Sequence, residues 1–154
     1  MTREDARLPA MPDDPFDLER FVAAQEGGVH QSAVEELRTG RKRSHWMWFV
    51  FPQVAGLGRS AIAQHFAVSG LDEARAYLRH PVLGARLRES VSALLGLPGT
   101  DPVAVLGSID AVKLRSSMTL FVRAAPEEEI FQQVLDRYYG GLPDEATIRI
   151  LRSP

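Results

Sequence analysis

The run Trp46-Met47-Trp48-Phe49-Val50-Phe51 decides the fold class. Six apolar residues stand in a row, four of them aromatic. A run this short has no resolvable period, so a buried strand and a buried helix read alike. Its surroundings separate the two. Ser44 suits a helix N-cap and Pro52 a stop, and no second good strand candidate exists elsewhere to pair with it. The segment is expected to be a short buried helix, and the chain all-α.

Outward from that run the pattern is helix upon helix. On the N-terminal side, Asp14-Pro15 reads as a cap followed by a first turn. Leu18, Phe21, Val22 and Gln25 then share one side, and Gly27-Gly28 ends the helix. A second helix is expected from Gln31 to Arg38, with Val34 and Leu37 inward and Gly40 as its stop. On the C-terminal side, Ser60 to Val68 and Leu71 to Arg79 are candidates, broken by His80-Pro81. Leu83, Leu87, Val91 and Leu94 form the inner stripe of the next helix, which Leu97-Pro98-Gly99 closes. Asp101-Pro102 repeats the cap-then-proline start, and a helix runs from Ser108 to about Ala124. Glu127 to Tyr139 is amphipathic with an acidic first turn that suits the helix dipole. Asp144 caps a last short helix through Leu151. The expectation is a compact multihelical domain of about eight helices over residues 14–152. Residues 1–13, with both charge signs and two prolines, are expected to form a disordered lead-in.

A chain of 154 residues can bury a real core as one domain. The net charge of −2 argues against bulk attraction to nucleic acid. Without cysteine there are no disulfides, no cysteine-bound zinc and no thiol catalysis. No apolar run reaches the ~18–20 residues that a membrane helix needs, and the N-terminus has no signal-type apolar stretch. A cytoplasmic setting is expected.

One stretch breaks the apolar rule. Leu106, Asp110, Lys113, Ser117 and Leu120, with Phe121, recur at helical spacing, so an acid, a lysine and a hydroxyl sit on a core-facing side. Burying such groups is costly unless they pair or meet a ligand. Lys113 could hold an anionic group while Asp110 fixes the ammonium or acts as a base, and Ser116 and Ser117 could donate hydrogen bonds to the same anion. The structural alternative is an ion pair joining helices. Lys113 and Ser117 are also placed for a Ser-Lys dyad.

Around the aromatic run, His45 is a candidate acid or base. Trp46 or Trp48 could stack on a flat ligand, or both could fill the core. Ser44 and Gln53 could orient a ligand. Gly56-Leu57-Gly58-Arg59-Ser60-Ala61 imitates a dinucleotide fingerprint but lacks the βαβ context. Amides opening a helix there, with Arg59, could still bind an anion. Arg38, Arg41, Lys42 and Arg43 read as a phosphate-contacting cluster or, more simply, as a solvated helix end. The four histidines have no metal-ligand spacing. No cofactor is indicated.

Four of these segments resemble a bacterial family called "domain of unknown function 1810". They are SHWMWFVFPQ at Ser44 to Gln53, GLGRSAIA at Gly56 to Ala63, HPVLGARL at His80 to Leu87, and SIDAVKLRSSMTLF at Ser108 to Phe121. The resemblance spans roughly Phe16 to Leu151 and implies a compact all-helical fold without an assigned activity. Members of the family often carry the label calpastatin, a name that belongs to an extended chain that folds on its target. Regular amphipathic helices and two tryptophans here point instead to a domain that folds alone. His30-Gln31 stands where the family usually carries a tyrosine.

Two functions follow as expectations. The first is a pocket between residues 44–53 and the helix at 108–121 for a small anionic ligand, a nucleotide-like one for example. Lys113 and Arg59 would supply charge, and Ser44, Gln53, Ser116 and Ser117 would orient the ligand. Trp46 or Trp48 would stack, and His45 or Asp110 would transfer any proton. The second is a non-catalytic interaction or scaffold domain whose polar residues lock helix packing. An open cleft holding Lys113 would favour the first, and a closed Asp110–Lys113 pair the second.

Overall fold

The structure, a computed structural model, describes residues 14–152; the lead-in expected at 1–13 lies outside them. The order is α1 Glu19–Gln25, α2 Val29–Arg38, α3 Met47–Val50, α4 Ala61–His65, α5 Leu71–Arg79, α6 Leu83–Leu95, α7 Pro102–Leu106, α8 Ser108–Ala124, α9 Glu129–Tyr139 and α10 Glu145–Arg152. The aromatic run is a helix, one turn long and almost wholly buried. Ten helices stand among the described residues where about eight were expected. The excess lies in single turns, and Gly107, at φ +89°, separates α7 from α8. Among the described residues the only strand-like feature is one parallel bridge between Val54 and Val68.

The capping chemistry explains most boundaries. Ser60 Oγ accepts from the Ala63 amide at the start of α4, and Asp101 from the Val103 amide at α7. His80 Nδ1 accepts from the Val82 and Leu83 amides, so this histidine is the acceptor that opens α6. Two caps differ from the sequence reading, and α2 begins at Val29 and α9 at Glu129, each two residues from the expected start. Asp14 accepts from the amides of Leu18 (2.7 Å) and Glu19 (3.0 Å), so it caps α1 across an intervening turn. Ser44 is no cap, because Trp46 takes the position before α3.

The central element is α8, against which α5, α7, α9 and α10 pack. A line of aromatic contacts crosses the interior from α1 to α9. Phe21 meets Tyr77 edge-on at 5.2 Å, Tyr77 meets Phe121 at 5.6 Å, and Phe121 meets Phe131 at 5.6 Å. Such pairs add about 0.5–1.5 kcal/mol each beyond burial. Arg20 closes the α1 end. Its guanidinium donates to the carbonyls of Phe16, Asp17, His65 and Ala67 and to the buried Glu73 carboxylate at 2.9 Å. No helix among the described residues is long and apolar enough to cross a membrane.

Candidate functional site

Of the polar intruders on α8, Asp110 and Lys113 sit at the edge of the core, while Ser116 and Ser117 are buried with Leu120 and Phe121 further along the same helix. Leu106 belongs to α7 and does not continue the stripe. Asp110 lies between two ammonium groups: Lys42 at 3.0 Å from Oδ2 and Lys113 at 3.7 Å from Oδ1. Lys42 overturns its reading as part of a solvated helix end, since its side chain is only 10% exposed. Three contacts pull it inward. Its amide donates to the Val105 carbonyl at 2.8 Å, its Nζ donates to the Ser44 carbonyl at 2.5 Å, and the ammonium lies 5.0 Å from the Trp46 ring centroid. Lys113 lies likewise 4.9 Å from the Trp48 ring. Two cations share one carboxylate, and the closer pair is Lys42–Asp110. The surplus positive charge therefore falls to Lys113.

Lys113 borders an open cleft of about 490 Å³ between the Gln53–Gly58 segment, α8 and the start of α10. Gln53, Leu57 and Gly58 form one wall; Ser108, Ile109, Val112, Lys113 and Ser116 form another; Asp144 and Ala146 close the end. The α8 residues share this wall because spacings of three, four and seven lie on one helix face. Ile109 is 73% and Val112 61% exposed, so the helix presents apolar surface to the cleft. The Ser116 hydroxyl reaches Asp144 Oδ2 at 3.2 Å and the Val112 carbonyl at 3.3 Å. The same Asp144 oxygen accepts from the Thr147 amide (3.0 Å) and hydroxyl (2.6 Å), which caps α10. Ser117 is fully buried, and its hydroxyl has no hydrogen-bond partner among the described residues. It makes no dyad with Lys113.

The remaining expected residues lie apart from this cleft. Trp46 is 1% exposed, and its indole N–H donates to Glu36 at 2.9 Å; it is core and cannot stack on a ligand. Trp48 is half-buried, with Lys113 over its ring. The Ser44 hydroxyl donates to Glu36 at 2.6 Å. His45 opens on a separate groove of about 300 Å³ shared with Gly27, Gly28, Ser32 and Phe49. Arg59 is exposed beside Gly58 but does not line the cleft. The helix behind it is five residues long, and the Ser60 hydroxyl already occupies the Ala63 amide.

Glu36 was not singled out by sequence. Its carboxylate accepts from the amides of Arg43 (2.7 Å) and Ser44 (3.1 Å), the Ser44 hydroxyl and the Trp46 indole. Desolvation pushes its pKa up, but these hydrogen bonds together outweigh it and hold the group at about 2, against an ordinary 4.5. Asp144 was read only as a cap, yet it also lines the cleft.

A profile of the family described as "protein of unknown function (DUF1810)" matches residues 15–151. The chain belongs to the DUF1810 family. A solved structure is similar throughout: the conserved hypothetical protein Rv1873 from Mycobacterium tuberculosis. It is 50% identical, with a TM-score of 0.88 over 92% of this chain and 100% of that one. No curated protein matches. The DUF1810 fold is thus shared with a solved relative whose description assigns no activity.

Proposed function

We propose that this DUF1810 protein binds a small ligand bearing an anionic group in the cleft beside α8. The observation that carries the reading is the position of Lys113. It is the sole cation lining the cleft among the described residues, and the carboxylate beside it is held more closely by Lys42. Gln53 supports this role, since it lines the same cleft and its side-chain amide offers both a donor and an acceptor. The nucleotide-like variant loses its stacking surface to the burial of Trp46 and the covering of Trp48. Proton transfer loses its agents too: His45 opens elsewhere, and Asp110 is clasped between two ammoniums. The reading is one of binding, in the cytoplasmic setting expected from the sequence.

A thermal-shift screen with sugar phosphates, nucleotides, carboxylates and amino acids tests it. A ligand at ~100 times its dissociation constant adds about 2.7 kcal/mol of stability. Lys113→Met is expected to abolish that shift while leaving the unliganded melting temperature within a few degrees, because Lys113 sits at the surface end of its ion pair. The second reading, an interaction or scaffold domain, draws on the same exposed Ile109 and Val112 and on the internal partners of Asp110 and Ser116. It predicts no shift with any small molecule and a Lys113→Met variant that behaves as wild type.

A further inference from the structure

Resting on the cleft as a ligand site, we propose that its ligand is a zwitterion of the amino-acid type with an aliphatic side chain, in preference to a phosphate. The charges lining the cleft are one of each sign, Lys113 and Asp144. Lys113 and Ser116 are three residues apart on α8, which places their Cβ atoms ~5–6 Å from one another, and Ser116 reaches the Asp144 carboxylate at 3.2 Å. A carboxylate at Lys113 and an ammonium toward Asp144 would set each charge of one small molecule against its opposite in the same cleft. A phosphate dianion at Lys113 would instead carry its charge within a Debye length, ~8 Å, of the Asp144 carboxylate.

The remaining groups fit the same class. The single Ser116 proton is committed to Asp144 or the Val112 carbonyl, so toward any ligand its oxygen has only acceptor capacity left, which suits an ammonium and not a phosphate. Gln53 offers both a donor and an acceptor. Leu57, Ile109 and Val112 supply a wall that an aliphatic side chain would cover, returning exposed apolar surface to a dry contact. Among the described residues no aromatic side chain lines the cleft to stack on a base.

Calorimetric titration of the full chain tests the proposal with leucine, isoleucine, valine and methionine as probes. Two half-ligands accompany them: 4-methylpentanoate, which lacks the amine of leucine, and 3-methylbutylamine, which lacks its carboxylate. Inorganic phosphate and glycine complete the set. The expected result is an aliphatic amino acid binding at least about tenfold, or ~1.4 kcal/mol, tighter than either half-ligand, glycine or phosphate. Lys113→Met should remove that binding. Asp144→Asn, which retains an N-cap residue for α10, should reduce the amino acid to the level of the bare carboxylate. Phosphate or 4-methylpentanoate binding as tightly as any amino acid, and still depending on Lys113, overturns the zwitterion and leaves the anion-binding cleft standing. No heat from any probe, or heat that Lys113→Met leaves unchanged, overturns both.

Discussion

Glu36 gathers four hydrogen bonds onto one carboxylate and so fixes the Arg43–Trp46 segment to α2. Two further residues depend on that anchorage. Trp46 enters the core with its indole N–H satisfied, and Lys42 is turned toward Asp110. The carboxylate matters as a charge, because hydrogen bonds to an ionised acceptor contribute about 1.5–3 kcal/mol. Glu36→Gln keeps the shape but removes the charge, leaving a neutral carbonyl for the three N–H donors on Oε1 and an NH₂ against the Ser44 hydroxyl on Oε2, and is expected to cost about that amount at pH 7. The pH dependence has a definite sign. The folded group titrates at about 2 and the unfolded one at 4.5. Its contribution is therefore complete above the unfolded value and fades as pH falls from there through the folded value. Urea denaturation of wild type and Glu36→Gln at pH 7, 4 and 2.5 should show the difference shrinking steadily with acid. A constant difference would mean that shape, not charge, holds the segment.

Between elements, α5 approaches α6 closely enough to leave no room for a side chain at Gly84. Gly84 sits in the first turn of α6, where a Cβ would stand 2.2 Å from the Leu78 carbonyl oxygen and 2.8 Å from an Arg88 guanidinium nitrogen. Arg88 is itself fixed, donating to both oxygens of Glu128 at 2.8 and 2.7 Å and to that same Leu78 carbonyl. The hydrogen bonds to Glu128 raise the Arg88 pKa above its ordinary value. The group cannot step aside without breaking a bidentate pair that also ties α6 to the start of α9. In an ordinary helix interior Gly→Ala stabilises by roughly 0.5–1 kcal/mol. Here the sign should reverse. Gly84→Ala is expected to destabilise by about 1–3 kcal/mol, as overpacking does, and Arg88→Ala in the same background should not restore it, since the Leu78 carbonyl is backbone. A thermally stabilised Gly84→Ala would show that α5 and α6 part freely.

At the scale of the whole chain, the fold class was legible and much of the site was not, for one physical reason. Helical periodicity and caps such as Asp101, Ser60 and Asp144 are local, so spacing reveals them. Lys113 could be read as a misplaced charge because its own helix stripe betrays it, and Gln53 because it leaves the aromatic run. Lys42 could not, because its burial is set by the Val105 carbonyl more than sixty positions away. Nor could the separation of His45 from Gln53, since a one-turn helix between them swings the two toward different grooves. The same long-range ties make the molecule one cooperative unit. A contiguous core runs from Leu18 to Tyr138 and includes Trp46, with Trp48 packed against it, and the Lys42–Asp110–Lys113 chain bridges the tryptophan segment to α8. Tryptophan emission, which reports residues 46 and 48, and helical ellipticity, which reports every helix, should therefore fall together in urea with one midpoint and one slope. An earlier fluorescence transition would mean that the segment bearing both tryptophans melts ahead of α8. In that case the ion-pair bridge would be no more than a surface contact, and the surplus charge assigned to Lys113 would lose its basis.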